Sequence, residues 1–212
     1  MKKSTETNAV NPAKRKQTTF KMVILALFIA IMLLMNFSPL GYIYAGTFTI
    51  TLMTIPVVAG AISLGPIFGL ILGGLFGLTS FLQCFGIGYV IDPSAAVLFS
   101  ISPFATAFTC FVPRMLMGLC VGLLFRLLYR FDKIRKLSYP ICAVCGAVFN
   151  TLFFMTSYIV LFKNTILANT TVMAVILSVL TLNLVIEICV SLVLGGSIGA
   201  AVHYAIRSTG KR

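Results

Sequence analysis

The stretch from Thr51 to Phe85 constrains the fold most, because it combines a long apolar run with regularly spaced glycines. On an α-helix, a spacing of four residues aligns side chains along one face. In a soluble helix each glycine would cost about 1 kcal/mol relative to alanine, whereas in a bilayer such a face lets another helix approach closely. We therefore interpret this stretch as the packing face of a central transmembrane helix, although glycines are common in membrane helices generally. The glycines are Gly65, Gly69, Gly73 and Gly77.

The composition is that of a membrane protein. Hydrophobic residues make up 59% of the 212 residues and charged residues 9%, and the mean hydropathy is +1.08. About 20 apolar residues cross the hydrocarbon layer, and continuous rather than alternating apolar runs argue against a β-barrel. We predict an all-α integral membrane protein with six transmembrane helices in one domain, residues 19–206. A disordered basic tail (residues 1–18) would precede it and a short basic tail (residues 207–212) would follow.

The six predicted spans follow the apolar runs. The second is short and interrupted by Pro56, and the last is longer than a bilayer requires. Ser102 and Pro103 are suited to the N-cap and first position of the fourth helix. The spans are residues 19–36, 50–63, 66–85, 103–128, 139–162 and 171–206.

Basic residues predict the orientation of the chain in the membrane. They cluster in the N-terminal segment, in the loop after span four and at the C-terminus. The loops that follow spans one, three and five (loops 1, 3 and 5) together contain one basic residue, Lys163. Because cytoplasmic loops are enriched in lysine and arginine, both termini are predicted to be cytoplasmic. Attraction to anionic membrane lipid accounts for the net charge of +12, so nucleic acid is not needed as a partner.

Arg114 is the most informative polar residue in the predicted spans. A charged side chain inside the hydrocarbon layer costs several kcal/mol unless it is paired or hydrated, and it marks a functional site by default. Pro113 precedes it and removes one helical hydrogen bond, which frees the carbonyl of Thr109. Glu187 is the only acidic residue in any predicted span. It offers an alternative interpretation, an ion pair with Arg114 that has no role in ligand binding.

Uncharged polar residues could join Arg114 in a pocket that opens outward. Asn183 precedes Glu187 by four residues and therefore shares its helix face. Each amide could instead be satisfied by a neighbouring helix. The candidate substrate-binding residues are Arg114, Asn183, Glu187, Asn150, Gln83 and Asn36.

The sequence shows no catalytic set and no metal or cofactor site. The single histidine, His203, lies near the cytoplasmic end of span six, and Cys142 and Cys145 form a CxxC without a second pair. We interpret the six cysteines as small buried hydrophobic residues. No phosphate-binding loop is present. A binding protein is favoured over two alternatives, an intramembrane enzyme that uses Glu187 and Arg114, and a structural or channel-forming protein with oligomeric glycine contacts.

In these features the chain resembles the substrate-binding S components of energy-coupling factor (ECF) vitamin transporters. The pattern IPV-x-x-GA-x-x-LGP-x-x-G at Ile55–Gly69 carries most of the resemblance. Ala26 and Ala30 match the AxxxA pattern by which S components dock on their transmembrane partner. The chain length, the six predicted helices and the basic N-terminal segment are also similar.

The resemblance implies a vitamin-binding subunit of the bacterial plasma membrane that works with a transmembrane coupling protein and two ATPase subunits. Its pocket would lie on the extracellular side, between helices four to six and loops 1, 3 and 5. The segment CFVPRMLMG at Cys110–Gly118 is most similar to members assigned to pantothenate, whose carboxylate an arginine would suit. Riboflavin, folate and pyridoxine remain alternative vitamins. The absence of tryptophan makes an aromatic cage for thiamine or riboflavin less favourable.

Overall fold

The computed structural model describes residues 12–39, 41–45, 48–89, 99–131, 137–162 and 184–209. An antiparallel hairpin of strands β1 (Tyr42–Ala45) and β2 (Phe48–Thr51) lies between the first two helices. The helices are α1 (Pro12–Asn36), α2 (Thr54–Leu64), α3 (Pro66–Gln83), α4 (Pro103–Phe131), α5 (Ser138–Leu161) and α6 (Leu184–Ser208).

Within the described residues, five helices are long and apolar enough to cross a membrane: α1 from Arg15, α3, α4, α5 and α6. The helical, multi-pass character predicted from the sequence is confirmed. The remaining helix, α2, has 11 residues, which corresponds to about 16 Å at the usual rise per residue and is short of the roughly 30 Å hydrocarbon layer. The predicted second span is therefore a short helix, and the hairpin precedes it where the prediction had only a loop.

Helix α2 forms the centre of the bundle, because every one of its residues is buried. It packs against α1, α3, α4, α5 and α6. Pro56 does not interrupt it, contrary to the prediction, since the helix begins at Thr54 and its first-turn N–H groups need no helical partner. An apolar sequence on all sides is what such a surrounded helix requires.

The glycine face of α3 packs against α4, as its spacing predicted for a helix contact. A Cβ atom added at Gly69 would lie 2.3 Å from the carbonyl oxygen of Gly118, and one at Gly73 would lie 2.2 Å from that of Arg114. Gly77 meets the backbone of Cys110 and Phe111 in the same way. Gly65 does not belong to this face. It forms the turn between α2 and α3 with a φ of 109°, where glycine is the residue of least strain.

Helix α1 begins at Pro12, so residues 12–18 are helical rather than part of an unstructured tail. Ile24, Phe28 and Met32 bury one of its faces in the core. Ala26 and Ala30, the predicted docking residues, are exposed on its other side.

The C-terminal half of α6 is fixed to α4 and α5 by an aromatic cluster. His203 Nδ1 lies 2.7 Å from the Tyr139 hydroxyl, and Phe125 and Tyr129 stack edge-on against the imidazole. Arg207 donates a hydrogen bond to the Tyr129 hydroxyl. These contacts give His203, which the sequence placed near the end of the last span, a role in helix packing.

Candidate functional site

Helix α4 presents Arg114 inside the bundle. Arg114 lies about 17 Å along the helix from Pro103, at the usual rise per residue. Its Nη1 donates to the carbonyl oxygens of Thr109 at 3.2 Å and Cys110 at 3.1 Å. Pro113 cannot donate to the Thr109 carbonyl, so that oxygen is free to accept from the guanidinium, as the sequence indicated. Gly73 of α3 packs closely against the Arg114 carbonyl and restricts the backbone at this position.

Two aromatic rings hold the guanidinium group of Arg114. Its central carbon lies 4.8 Å from the ring centroid of Phe76 on α3 and 5.0 Å from that of Phe154 on α5. Cation–π contacts of this kind contribute about 0.5–2 kcal/mol each, more when they are shielded from water. The charge is thus supported by neutral groups, and its Nε is buried without a hydrogen-bond partner among the described residues.

Glu187 on α6 and Asn150 on α5 contact each other beside Arg114. The Asn150 amide nitrogen donates to Glu187 Oε1 at 3.2 Å, and the glutamate side chain is 1% exposed. Arg114 is close enough to act electrostatically on this carboxylate. Within the described residues, however, the hydrogen-bond donor to Glu187 is Asn150, and the acceptors of Arg114 are carbonyls of its own helix.

The first turn of α2 completes the group. The hydroxyl of Thr54 faces the Glu187 carboxylate without a well-formed hydrogen bond. Because Thr54 is the first residue of α2, the positive dipole end of this helix lies near the Glu187 carboxylate, which is a favourable arrangement. Ser191, one turn after Glu187 on α6, is completely buried.

These residues form what we term the polar cluster, namely Thr54, Arg114, Asn150, Glu187 and Ser191. Each has a buried nitrogen or oxygen atom with no hydrogen-bond partner among the described residues: Thr54 Oγ1, Arg114 Nε, Asn150 Oδ1, Glu187 Oε2 and Ser191 Oγ. Buried polar atoms are normally paired, and each exception requires an explanation such as an ion, water or ligand. The polar cluster therefore has the unused donors and acceptors of a binding site.

Asn36 and Gln83 form a separate pair at one end of the bundle. Gln83 Nε2 donates to Asn36 Oδ1 at 3.2 Å, and the Tyr89 amide donates to the Asn36 carbonyl at 3.0 Å. Gln83 is two helical turns, about 10 Å, beyond Phe76, so the pair does not join the polar cluster directly. Asn183, the remaining candidate, lies outside the described residues.

Sequence reasoning missed four residues that surround the candidate site. Ser191 continues the four-residue spacing from Asn183 through Glu187, which is a signal that the sequence does contain. Thr54 begins the helix that Pro56 helps to start. Phe76 and Phe154 carry no such signal, because phenylalanine is frequent throughout this chain.

The described part of the chain contains no group of three or more histidine, cysteine or acidic residues that could hold a metal ion. No cysteine in this part of the chain forms a disulfide bond.

Two comparisons with known proteins match most of the chain. Residues 20–195 match the family described as "ECF transporter, substrate-specific component". The pantothenic acid transporter PanT of Lactococcus lactis subsp. cremoris (strain MG1363) is 30% identical over 165 residues, which cover 72% of this chain and 79% of that protein.

Proposed function

The chain belongs to the family of substrate-specific components of ECF transporters, and on this premise we propose that it is the pantothenate-binding subunit of such a transporter. Family membership supports a multi-pass bacterial membrane protein that takes part in vitamin uptake, and it argues against an enzyme. The name of the Lactococcus relative supports pantothenate as the vitamin. If the vitamin were riboflavin, folate or pyridoxine, the chain would have the same role in the family but would bind a ligand of different chemistry.

The observation that carries this proposal is the guanidinium group of Arg114. It lies over the rings of Phe76 and Phe154 and donates to backbone carbonyls of its own helix, and its Nε has no hydrogen-bond partner among the described residues. Pantothenate has a carboxylate at one end, an amide in the middle and two hydroxyl groups at the other end. In our proposal the carboxylate binds Arg114 through charge-assisted hydrogen bonds, which are about twice as strong as neutral ones.

The other members of the polar cluster orient the ligand. Glu187 and the pantothenate carboxylate repel each other, so the carboxylate lies on the Arg114 side and the hydroxyl end lies toward Glu187 and Asn150. The unpaired Oδ1 of Asn150 and Oε2 of Glu187 accept hydrogen bonds from uncharged groups. Asn36, Gln83 and Asn183 are proposed to lie along the outer part of the pocket.

We propose that the pocket opens to the outside and that both termini are cytoplasmic, on the basis of the basic clusters. Transporter binding sites typically contain half-helices whose N-termini meet the ligand inside the membrane, and α2 is a short helix whose N-terminus meets the polar cluster. The exposed Ala26 and Ala30 face of α1 is proposed to dock on a transmembrane coupling protein that works with two ATPase subunits.

The proposed ligand is tested by thermal stabilisation of the detergent-purified protein. Pantothenate, riboflavin, folate, pyridoxine and thiamine are compared at equal concentrations. A ligand at 100 times its dissociation constant stabilises the folded state by about 2.7 kcal/mol, so the true vitamin should raise the melting temperature and the others should not. Stabilisation by a different vitamin would overturn pantothenate but retain the family role.

The proposed partners are tested by affinity purification from the native membrane. A transport subunit should bring ATPase subunits with it. An intramembrane enzyme or a channel-forming oligomer should not, so purification of the chain without any ATPase, under conditions that preserve membrane complexes, would overturn the transport assembly.

A further inference from the structure

The hydroxyl of Ser191 behaves differently from several other helical hydroxyls in the described chain. Ser63 donates to the Ala59 carbonyl at 2.7 Å, Thr109 to Ala105 at 2.9 Å and Ser197 to Val193 at 2.6 Å, each to the residue four positions earlier. Serine and threonine usually satisfy themselves in this way inside helices. Ser191 is 0% exposed, yet its hydroxyl has no described partner.

Ser191 is also the first residue of a π-helical turn, Ser191–Gly195. The amide of Gly196 donates to the Ser191 carbonyl, five residues earlier. A π turn contains one residue more than an α turn, and such turns occur frequently at functional sites.

The π turn determines which side of α6 Glu187 occupies. Gly199 of α6 packs against Ile62 of α2, and Glu187 lies beside Thr54, also of α2. In a regular α-helix Glu187 would point about 120° away from Gly199. The extra residue removes about 100° of that difference, so both residues face α2.

We propose that Thr54, Glu187 and Ser191 form a subsite for a hydroxyl group of the ligand, and that the π-helical turn positions this subsite. The inference rests on the proposed function, since pantothenate presents two hydroxyl groups at the end opposite its carboxylate. Glu187 Oε2 accepts from a ligand hydroxyl, and the Thr54 and Ser191 hydroxyls donate to it or accept from it. The subsite thus assigns ligand partners to three of the five unpaired atoms in the polar cluster.

The subsite is tested with pantothenate and with pantothenate analogues that lack either one of the two hydroxyl groups. Wild-type protein should bind one of these analogues about tenfold more weakly than pantothenate, a loss typical of a hydrogen bond to a charged group. In Ser191→Ala and Thr54→Val this preference should fall to about threefold or less. Ser197→Ala is the matched control, because that hydroxyl bonds to its own helix on an exposed surface. It should keep the full preference.

The π turn is tested by deletion of Val193, an exposed residue within it. Deletion restores a regular α-helix in which Glu187 and Gly199 are still about 20° apart, so pantothenate affinity should stay within about threefold of wild type. Insertion of an alanine after Val193 should instead turn Glu187 by about 100° away from α2 and weaken pantothenate binding by at least about tenfold, whereas Val193→Ala should bind normally. If the deletion variant does not fold, the hydroxyl experiment with Ser191→Ala and Thr54→Val decides.

The outcomes separate this inference from the proposed function. If wild-type protein does not bind pantothenate, both are overturned. If it binds pantothenate but discriminates against neither deoxy analogue, or if Ser191→Ala and Thr54→Val discriminate as fully as wild-type protein, the subsite alone is overturned. Normal pantothenate affinity after insertion of an alanine after Val193, or lost affinity in a folded Val193 deletion variant, would overturn the positioning role of the π turn.

Discussion

Replacement of Arg114 by methionine should weaken pantothenate binding much more than binding of pantothenol, in which an alcohol replaces the carboxylate. Methionine keeps much of the length of the side chain but removes the charge. A hydrogen bond to a charged group contributes about 1.5–3 kcal/mol, so pantothenate affinity should fall about 10- to 150-fold.

The comparison of two ligands isolates the carboxylate contact from other effects of the substitution. Arg114→Met also removes the contacts with Phe76 and Phe154 and the hydrogen bonds to the α4 carbonyls. Those losses affect the shape of the pocket for both ligands equally, and they cancel in the ratio of the two affinities. Isothermal titration calorimetry of purified wild-type protein and variant with each ligand gives that ratio.

Equal weakening of both ligands would refute the assignment of Arg114 to the carboxylate. A second refutation comes from Glu187→Gln combined with Arg114→Met. If Arg114 serves only to neutralise Glu187, the single Arg114 change strands a buried carboxylate, and the double variant should recover both melting temperature and pantothenate affinity. A loss of affinity that persists while stability recovers agrees with the proposed contact.

Three further predictions address packing, docking and orientation. Gly73→Ala should lower the melting temperature in detergent, because its Cβ would collide with the Arg114 carbonyl. Gly74→Ala is the control and should leave the melting temperature unchanged, since the nearest atom to its Cβ would be 3.6 Å away. Equal melting temperatures of the two variants would contradict the close helix contact. Ala26→Trp and Ala30→Trp should abolish uptake by cells but preserve vitamin binding by the purified subunit. Leu152→Trp, on an exposed part of α5, should support uptake, and normal uptake by both alanine variants would remove docking from this face. In a cysteine-free variant of the chain, single cysteines placed in loops 1, 3 and 5 should react with an impermeant reagent in intact cells. Those placed in the basic loop after α4 should not, and the reverse pattern would invert the orientation.

Local properties of the sequence were sufficient for the membrane class and for most of the helices. Transfer of a long apolar segment into lipid depends on that segment alone, so the spans now described as α3, α4 and α5 were predicted to within a few residues. The link between Pro113, the Thr109 carbonyl and Arg114 was also predictable, because all three lie within two turns of one helix. The limits of α1 were less accurate at its N-terminus, where the polar residues after Pro12 carry no apolar periodicity.

The partners of each helix were decided only by the tertiary structure. The spacing of Gly69, Gly73 and Gly77 predicted a close contact but not that α4 would supply it. Likewise the sequence nominated Asn150 and Glu187 separately, while their hydrogen bond depends on how α5 and α6 are rotated about their axes. Asn36 and Gln83 were also nominated separately, and only the tertiary structure shows that they pair with each other.

The position of α2 and the π turn of α6 illustrate why some features follow from the sequence and others only from the tertiary structure. Hydrophobicity and periodicity specify that a segment is helical and which face is apolar, because those are properties of neighbouring residues. They do not specify which of several apolar faces it will meet, since many pairings bury similar area in a bilayer. Only the assembled bundle makes α2 a central, fully buried helix whose first turn reaches Glu187. In the same way, one extra residue in a turn of α6 decides that Glu187 and Ser191 face α2.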